Sequence, residues 1–226
     1  MRFLELLFPR RCVSCGKIGK YFCNKCTDKI DPRVPTICPV CDRPSISGFT
    51  HARCQTKYTL DAQISFFYYE GVIRDGIKAL KYRFVSDLAH DLINLIPQDS
   101  LSLIPKSSVL VPIPLHSSRM RFRGFNQAEI LGKFLAKRLG ISVNTEAIKR
   151  IRKTLPQVEK KDRKERIKNI EGVFAVNNSA IKQCSNTIIL LFDDVFTTGA
   201  TLRSAANVLK RAGVNSVWGI TLAHGS

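Results

Sequence analysis

The sequence predicts an α/β fold, with a parallel sheet flanked by helices, preceded by a small cysteine-rich module. Seven of the eight cysteines fall within the first 54 of 226 residues, and strand-like and helix-like patterns alternate after Asp61. Strands that alternate with helices favour parallel pairing, because each connection between parallel strands needs a crossover. We therefore expect the cysteine-rich module at residues 1–58 and an α/β domain at residues 59–226.

The composition predicts a basic protein with an anionic partner. The chain has 36 Lys and Arg residues against 18 Asp and Glu residues, a formal net charge of +18. This excess suits nucleic acid, a membrane surface or a phosphorylated metabolite, and a general basic bias of the surface is the alternative. The first apolar run contains Glu5 and stops at Pro9, too short for a signal-peptide core. We predict a cytoplasmic protein without a membrane span.

Four pairs of potential metal ligands lie in the cysteine-rich module, each with two residues between its members. They are Cys12 with Cys15, Cys23 with Cys26, Cys38 with Cys41, and His51 with Cys54. Two thiolates at this spacing reach one metal, and a tetrahedral zinc needs two such pairs. We predict two structural zinc ions, with disulfides or free thiols as the alternatives. The spacing leaves open whether sequential or interleaved pairs share a metal.

The α/β domain is predicted from the period of its apolar residues. β-Branched and aromatic runs indicate strands, and apolar residues three and four apart indicate helices. The predicted strands cover residues 64–69, 108–114, 187–194 and 216–223, and the predicted helices cover residues 71–84, 87–96, 126–139 and about 200–212. Residues 149–169 are dominated by Lys and Arg and are predicted to be exposed.

The end of the third predicted strand has the chemistry of a phosphate site. Its apolar run ends in Asp193 and Asp194, and a turn rich in Thr and Gly then leads into a helix. Ligands bind at the carboxyl ends of strands in open α/β sheets, and the N–H groups that begin a helix favour phosphate. The two carboxylates suit ribose hydroxyls or Mg²⁺. An ordinary strand end followed by a capped helix is the alternative.

This string of residues resembles the motif that binds 5-phosphoribosyl-1-pyrophosphate (PRPP) in type I phosphoribosyltransferases. The resemblance implies a type I phosphoribosyltransferase-like sheet, with Asp193 and Asp194 as the catalytic residues that hold the ribose hydroxyls. It also implies a loop for the 5′-phosphate, formed by Val195, Phe196, Thr197, Thr198, Gly199, Ala200 and Thr201.

The order of further short motifs resembles the ComF/GntX family of competence-associated proteins. The motifs are residues 111–116, Arg119, residues 123–127 and the four ligand pairs ahead of them, although His51 stands where the family often has cysteine. The resemblance implies a double zinc-ribbon module before the phosphoribosyltransferase-like domain. It also implies that the turn at residues 111–116, with Pro112, Ile113 and Pro114, is the pyrophosphate loop for magnesium-bound PRPP. Arg119 and Arg123 would contact the diphosphate, and contact with solvent or nucleic acid is the alternative for these arginines.

Basic and aromatic residues near this predicted site suit single-stranded nucleic acid, where bases stack on rings beside cations. Phe122 lies among arginines, and the candidate contacts are Arg121, Phe125, Arg152, Lys153, Arg163, Lys164 and Arg166. The family resemblance implies handling of single-stranded DNA during natural transformation, with PRPP as a ligand and a competence helicase as a partner. The alternative is an active phosphoribosyltransferase in nucleotide metabolism, whose acceptor the sequence does not identify.

Overall fold

Five strands form a parallel sheet, which is the centre of the α/β domain. The computed structural model describes residues 9–31, 34, 36–82, 86–152, 172–182 and 187–225. Within these ranges the order of the sheet is β1-β7-β6-β2-β3, and β4 pairs with β5 in an antiparallel ribbon. The strands are β1 (Ala62–Tyr68), β2 (Ser108–Pro112), β3 (Ser142–Val143), β4 (Ile148–Arg150), β5 (Phe174–Val176), β6 (Ile188–Phe196) and β7 (Val217–His224).

Helices cover both faces of the sheet, which confirms the predicted α/β class. The described helices are α1 (Asn24–Thr27), α2 (Gly71–Tyr82), α3 (Ser86–Asn94), α4 (Gln98–Leu101), α5 (Ser117–Arg123), α6 (Gln127–Leu139), α7 (Asn178–Lys182) and α8 (Ala200–Arg211). Helices α2, α3 and α6 pack on a first hydrophobic core, and α8 packs on a second core across the sheet. No helix within the described ranges is both long and apolar enough to cross a membrane.

Strand β6 is the central strand, and its continuous apolar run is buried on both sides. Leu190 and Phe192 face the first core, whereas Ile189 and Leu191 face the second, and all four are 0% exposed. Side chains alternate between the faces of a strand, so this burial requires apolar residues at successive positions. Because the five strands are parallel, the end of β6 lies at the carboxyl edge of the sheet.

The two halves of the cysteine-rich module pack on opposite faces of the sheet. The first ribbon (residues 10–30) places Phe22, 7% exposed, in the first core. A Cβ at Gly76 of α2 would lie 2.9 Å from the Phe22 ring, so glycine permits this close approach. The second ribbon (residues 36–54) places Ile37 in the second core. Each half therefore contributes to a different core of the α/β domain.

Lys149, Ile151 and Arg152 are exposed, as predicted for the segment at residues 149–169, whereas Arg150 is partly buried. Strand β4, which contains Arg150, pairs with β5, and Ile148 and Phe174 of these strands are buried in the second core. Strands of three residues are too short to show a period in the sequence. Residues 153–171 of the segment lie outside the described residues.

Candidate functional site

The structure gathers the eight predicted metal ligands into two groups of four. The groups are Cys12, Cys15, Cys23 and Cys26, and Cys38, Cys41, His51 and Cys54. The ligand atoms of each group all lie within 4.8 Å of one another. Sequential pairs therefore share a site, which decides between the two arrangements that the spacing left open.

The geometry of both groups fits tetrahedral zinc. The Sγ atoms of Cys15 and Cys23 are 3.6 Å apart, close to the edge of about 3.8 Å expected for a tetrahedron with Zn–S bonds of about 2.3 Å. In the absence of a cation, burial and then hydrogen bonds to neighbouring thiols raise the pKa of Cys26 to about 12. A divalent cation stabilises the thiolate form, so this crowded donor set suits a bound metal.

His51 is oriented as a metal ligand by a backbone carbonyl. Its Nδ1 lies 3.4 Å from the Sγ of Cys41, and its Nε2 lies 3.0 Å from the carbonyl oxygen of Pro44. If Nε2 carries the proton and donates it to Pro44, Nδ1 keeps a free lone pair for the metal. The imidazole therefore fits the position that the sequence assigned to it.

The two ribbons are structural copies of one another. In the first, the N–H of Gly16 donates to the carbonyl of Cys12 at 2.9 Å, and in the second the N–H of Asp42 donates to that of Cys38 at 3.0 Å. Gly16 and Asp42 both have a positive φ, of 74° and 58°. The second pair of ligands in each copy lies on a short helical turn, α1 in the first ribbon and Ala52–Cys54 in the second. The module thus repeats a single metal-binding unit.

A cavity of about 410 Å³ is the second candidate site, at the carboxyl ends of β2 and β6. Eleven of the predicted residues line it: Ile113, Arg119, Arg123, Asp193, Asp194, Val195, Phe196, Thr197, Gly199, Ala200 and Thr201. Pro112, Pro114 and Thr198 are described but do not line it. Parallel pairing of Pro112 with Phe192 places the two loops that follow β2 and β6 side by side.

Gly199 shapes the turn between β6 and α8. Its φ of 67° is left-handed, and a Cβ there would lie 2.5 Å from Cζ of Phe196. Both conditions favour glycine. The turn therefore brings the first N–H groups of α8 to the wall of the cavity, in the position predicted for a phosphate loop.

The two aspartates have different electrostatic surroundings. Lys81 of α2 places its Nζ 3.1 Å from Oδ2 of Asp194, and the N–H of Asp194 donates to Oδ1 of Asp193 at 2.9 Å. Burial, followed by the charge of Asp194, raises the pKa of Asp193 to about 8. Burial alone would lower the pKa of Lys81, but the charge of Asp194 outweighs it and the pKa is raised. Lys81 thus supplies a cation beside the acids.

Three arginines and a glutamine line the same cavity. Arg119 and Arg123 come from α5, and Arg150 comes from β4. Burial and then the positive charge of Arg119 lower the pKa of Arg150, so an anion in the cavity would stabilise both guanidinium groups. Arg123 donates to Oε1 of Gln127 at 2.6 Å. Gln127 is 4% exposed, and its Nε2 has no hydrogen-bond partner in the part of the chain that the structure describes.

Asn126 fixes the backbone that surrounds these donors. Its Nδ2 donates to the carbonyl of Ile113 at 3.0 Å, and its Oδ1 accepts from the N–H of Ala128 at 3.2 Å. The side chain therefore caps α6 and holds the loop after β2 at the same time. The wall of the cavity that carries the arginines is therefore preorganised for a ligand.

Lys81, Gln127 and Arg150 line the cavity but were not among the predicted site residues. The signal for Gln127 was present, because it closes the motif at residues 123–127. Lys81 and Arg150 depend on contacts across the fold that no local pattern records. Contacts in the folded protein therefore add these three residues to the eleven that the sequence motifs predicted.

Those of the predicted nucleic-acid contacts that the structure describes lie outside the cavity. Arg121 and Arg152 are exposed, and Phe125 is partly buried. Phe122, one position before Arg123, is 88% exposed and is the more accessible ring. The remaining candidates lie outside the described residues: Lys153, Arg163, Lys164 and Arg166.

Comparisons with known proteins cover both parts of the chain. Residues 3–55 match the family model of the double zinc ribbon domain. Competence protein ComFC of Bacillus subtilis is 29% identical over 206 residues, 84% of this chain and 78% of that protein. DNA utilization protein YhgH of Salmonella typhi is 29% identical over 202 residues, 86% of each chain. Competence protein F of Haemophilus influenzae is 33% identical over 118 residues, 50% of each chain.

Proposed function

We propose, from the premise that this chain is a ComF-family protein with an N-terminal double zinc ribbon, that it acts in DNA uptake and binds PRPP. The names of its relatives support the biological role, since two are competence proteins and one is a DNA utilization protein. The cavity beside β6 supports the ligand. Its location, size and donors are those of a small-molecule site.

The observation that carries the PRPP proposal is the convergence of two acids, the loop between β6 and α8, and three arginines on one cavity. Asp193 and Asp194 would accept hydrogen bonds from the ribose hydroxyls. The backbone of residues 197–201 would donate to the 5′-phosphate, and Arg119, Arg123 and Arg150 would bind the diphosphate. Magnesium would enter with the diphosphate oxygens, which are the ligands that it prefers.

A thermal-shift experiment tests this proposal. At 100 times the dissociation constant, PRPP with Mg²⁺ should stabilise the protein by about 2.7 kcal/mol, and hence raise its Tm by roughly 5–10 °C. The double variant Asp193→Asn/Asp194→Asn should lose most of this rise, because charge-assisted hydrogen bonds to the sugar are removed.

The matched control for this experiment changes two acids outside the cavity. Asp99 and Glu146 are exposed, so Asp99→Asn/Glu146→Gln replaces two carboxyl groups by amides in the same way without touching the cavity. This control should keep the full rise in Tm. A full rise in the Asp193/Asp194 double variant would show that the ligand binds elsewhere.

Single-stranded DNA is proposed to bind outside the cavity, at the rim formed by α5. Acids that accept from two ribose hydroxyls select a free 2′,3′-diol, which an internal DNA nucleotide lacks. Arg119 and Arg123 line the cavity, whereas Arg121 of the same helix is exposed and Phe122 is 88% exposed. An exposed ring between cations suits base stacking beside a phosphate backbone. The two ligands would then occupy adjacent sites.

An active phosphoribosyltransferase is the second candidate function. The unpartnered Nε2 of Gln127 favours it, since this buried donor belongs to the cavity and could orient a second molecule beside PRPP. Displacement of pyrophosphate from the anomeric carbon by an amine or base would complete the reaction. Acceptor-dependent release of labelled pyrophosphate from PRPP separates a catalyst from a protein that only binds.

A further inference from the structure

Arg203 connects the second ribbon to the phosphate loop. This residue lies in the first turn of α8. Its Nη1 donates to the carbonyl of Val40 at 3.2 Å, and its Nη2 donates to the carbonyl of Thr198. Val40 lies between the zinc ligands Cys38 and Cys41. One guanidinium group therefore holds the backbone of a metal site and the backbone of the loop together.

The contact of Arg203 with the carbonyl of Thr198 also fixes the N–H of the next residue, Gly199. The carbonyl of Thr198 and the N–H of Gly199 belong to the same planar peptide group. Holding the carbonyl therefore fixes the direction of the N–H on the other side of the plane. Gly199 lines the cavity, so Arg203 sets the orientation of a loop donor without lining the cavity itself.

Apolar packing joins the same two parts of the molecule. Ile37, which precedes Cys38, is 9% exposed and belongs to the second core together with Phe196 and Leu202. The ring of Phe196 lies directly against Gly199, and it stacks on the imidazole of His224 with 5.5 Å between ring centroids. The second ribbon and the phosphate loop thus share one packed cluster in addition to the Arg203 bridge.

The first ribbon has its described contacts on the other face of the sheet. Phe22 packs against α2 at Gly76, and Arg10 pairs with Asp87 of α3 at 2.7 Å. Although the two ribbons repeat the same metal-binding unit, their buried anchors, Phe22 and Ile37, lie in different cores. The first ribbon is therefore an internal control for any effect specific to the second.

We propose that the second ribbon, with zinc bound, positions the phosphate loop through Arg203, so that this zinc site and the cavity stabilise each other. The zinc site of the first ribbon is not coupled in this way. Coupling between sites is reciprocal, so a ligand in the cavity should also raise the zinc affinity of the second ribbon. The choice of PRPP as the ligand rests on the proposed function. The effect of the second ribbon on the loop does not depend on that ligand.

The first test replaces Arg203 and measures amide hydrogen exchange by mass spectrometry. Arg203→Gln should retain both zinc ions while the segment at residues 196–203 exchanges faster. Affinity for PRPP with Mg²⁺ should fall roughly tenfold, as expected for loss of a charge-assisted hydrogen bond. Arg211→Gln is the matched control, because Arg211 is on the same helix but contacts Asn207 and Tyr58. It should leave the exchange of residues 196–203 unchanged.

The second test removes equivalent ligands from the two ribbons. Cys15 and Cys41 occupy the same position in their respective units. Cys41→Ser should release zinc and accelerate exchange at residues 196–203, whereas Cys15→Ser should release zinc and leave exchange of that segment unchanged. If Cys41→Ser fails to fold, Arg203→Gln still decides the question, since it leaves every zinc ligand in place.

Two results would overturn the inference: exchange as slow in Arg203→Gln as in the original chain, or equal acceleration by the two cysteine variants. The exchange measurements use no ligand, so they remain decisive if PRPP does not bind. Absence of any PRPP effect on the original chain would instead count against the proposed function. The two failures are therefore distinguishable.

Discussion

At the residue scale, the surroundings of Asp193 change the pKa of its side chain. It ends the apolar part of β6, beside Asp194 and within the electrostatic reach of Lys81. Burial and the neighbouring carboxylate raise its pKa to about 8, although Lys81 opposes the shift. The carboxyl is therefore largely protonated near neutral pH in the unliganded protein. A sugar hydroxyl that donates to the carboxylate would favour the ionised form.

The stability of the unliganded protein should therefore depend on the protonation of Asp193. In the unfolded chain an aspartate has a pKa of about 3.9. Between that value and about 8, the folded protein holds a proton that the unfolded chain has lost, so stability falls as pH rises. The fall for one proton is at most about 1.4 kcal/mol per pH unit. Asp193→Asn should remove this part of the pH dependence.

Urea unfolding at pH 6 and pH 8 measures this effect. Relative to Asp193→Asn, the original chain should lose stability between the two pH values. Asp99→Asn, at an exposed position, should follow the original chain. The two zinc sites are the same in all three proteins, so any contribution from them cancels in the comparison. Parallel stability changes in Asp193→Asn and the original chain would contradict the raised pKa.

At the scale of elements, the loop between β6 and α8 combines a left-handed turn with a close contact. Gly199 and Gly140 have nearly the same φ, of 67° and 69°. A Cβ at Gly199 would lie 2.5 Å from Phe196, whereas a Cβ at Gly140 would meet nothing within 4 Å. A comparison of the two glycines therefore distinguishes the effect of the left-handed backbone from the effect of the close contact with Phe196.

Gly140→Ala should cost about 1 kcal/mol of stability, because alanine must adopt a left-handed conformation at the end of α6. Gly199→Ala adds the clash with Phe196 and should cost about 2–4 kcal/mol. Thermal unfolding measures both losses, and only Gly199→Ala should also reduce the stabilisation by PRPP. Equal losses in the two variants would show that the Phe196 ring moves aside without cost.

The elements that could be predicted from sequence are those with a long apolar pattern. Strand β6 has a continuous run that must be buried, and α6 shows helical spacing between Asn126 and Gly140. Strands β4 and β5 have three residues each, too few to establish a period. They become strands because Ile148 and Phe174 pack into the second core, which is a property of the assembled domain.

At the scale of the whole molecule, the spacing of the cysteines predicted the metal ligands but could not pair them. The four ligand pairs have the same spacing in the sequence, and only the folded backbone shows that consecutive pairs share a site. The attachment of the two ribbons to opposite faces, through Phe22 and Ile37, was likewise unpredictable. Such contacts join residues that are distant in the chain, and no local pattern encodes them.

The net charge of +18 also belongs to the whole molecule, and it predicts a strongly salt-dependent affinity for single-stranded DNA. Log affinity should fall with log salt at a slope of about −0.7 for each phosphate contacted. Arg121→Gln should make the slope shallower by about 0.7, because one phosphate contact is lost. Phe122→Ala should instead lower affinity by about 1–3 kcal/mol and leave the slope unchanged, since stacking releases no counterions.

Fluorescence anisotropy of a labelled oligonucleotide across a salt series distinguishes these effects. Ile46→Ala is the matched control, because Ile46 is also 88% exposed but belongs to the second ribbon and not to α5. If Ile46→Ala weakened binding as much as Phe122→Ala, general apolar contact would explain the affinity and the second ribbon would belong to the DNA surface. If neither variant had an effect while the salt slope stayed steep, the strand would be held by charge alone, and α5 would not be the stacking platform.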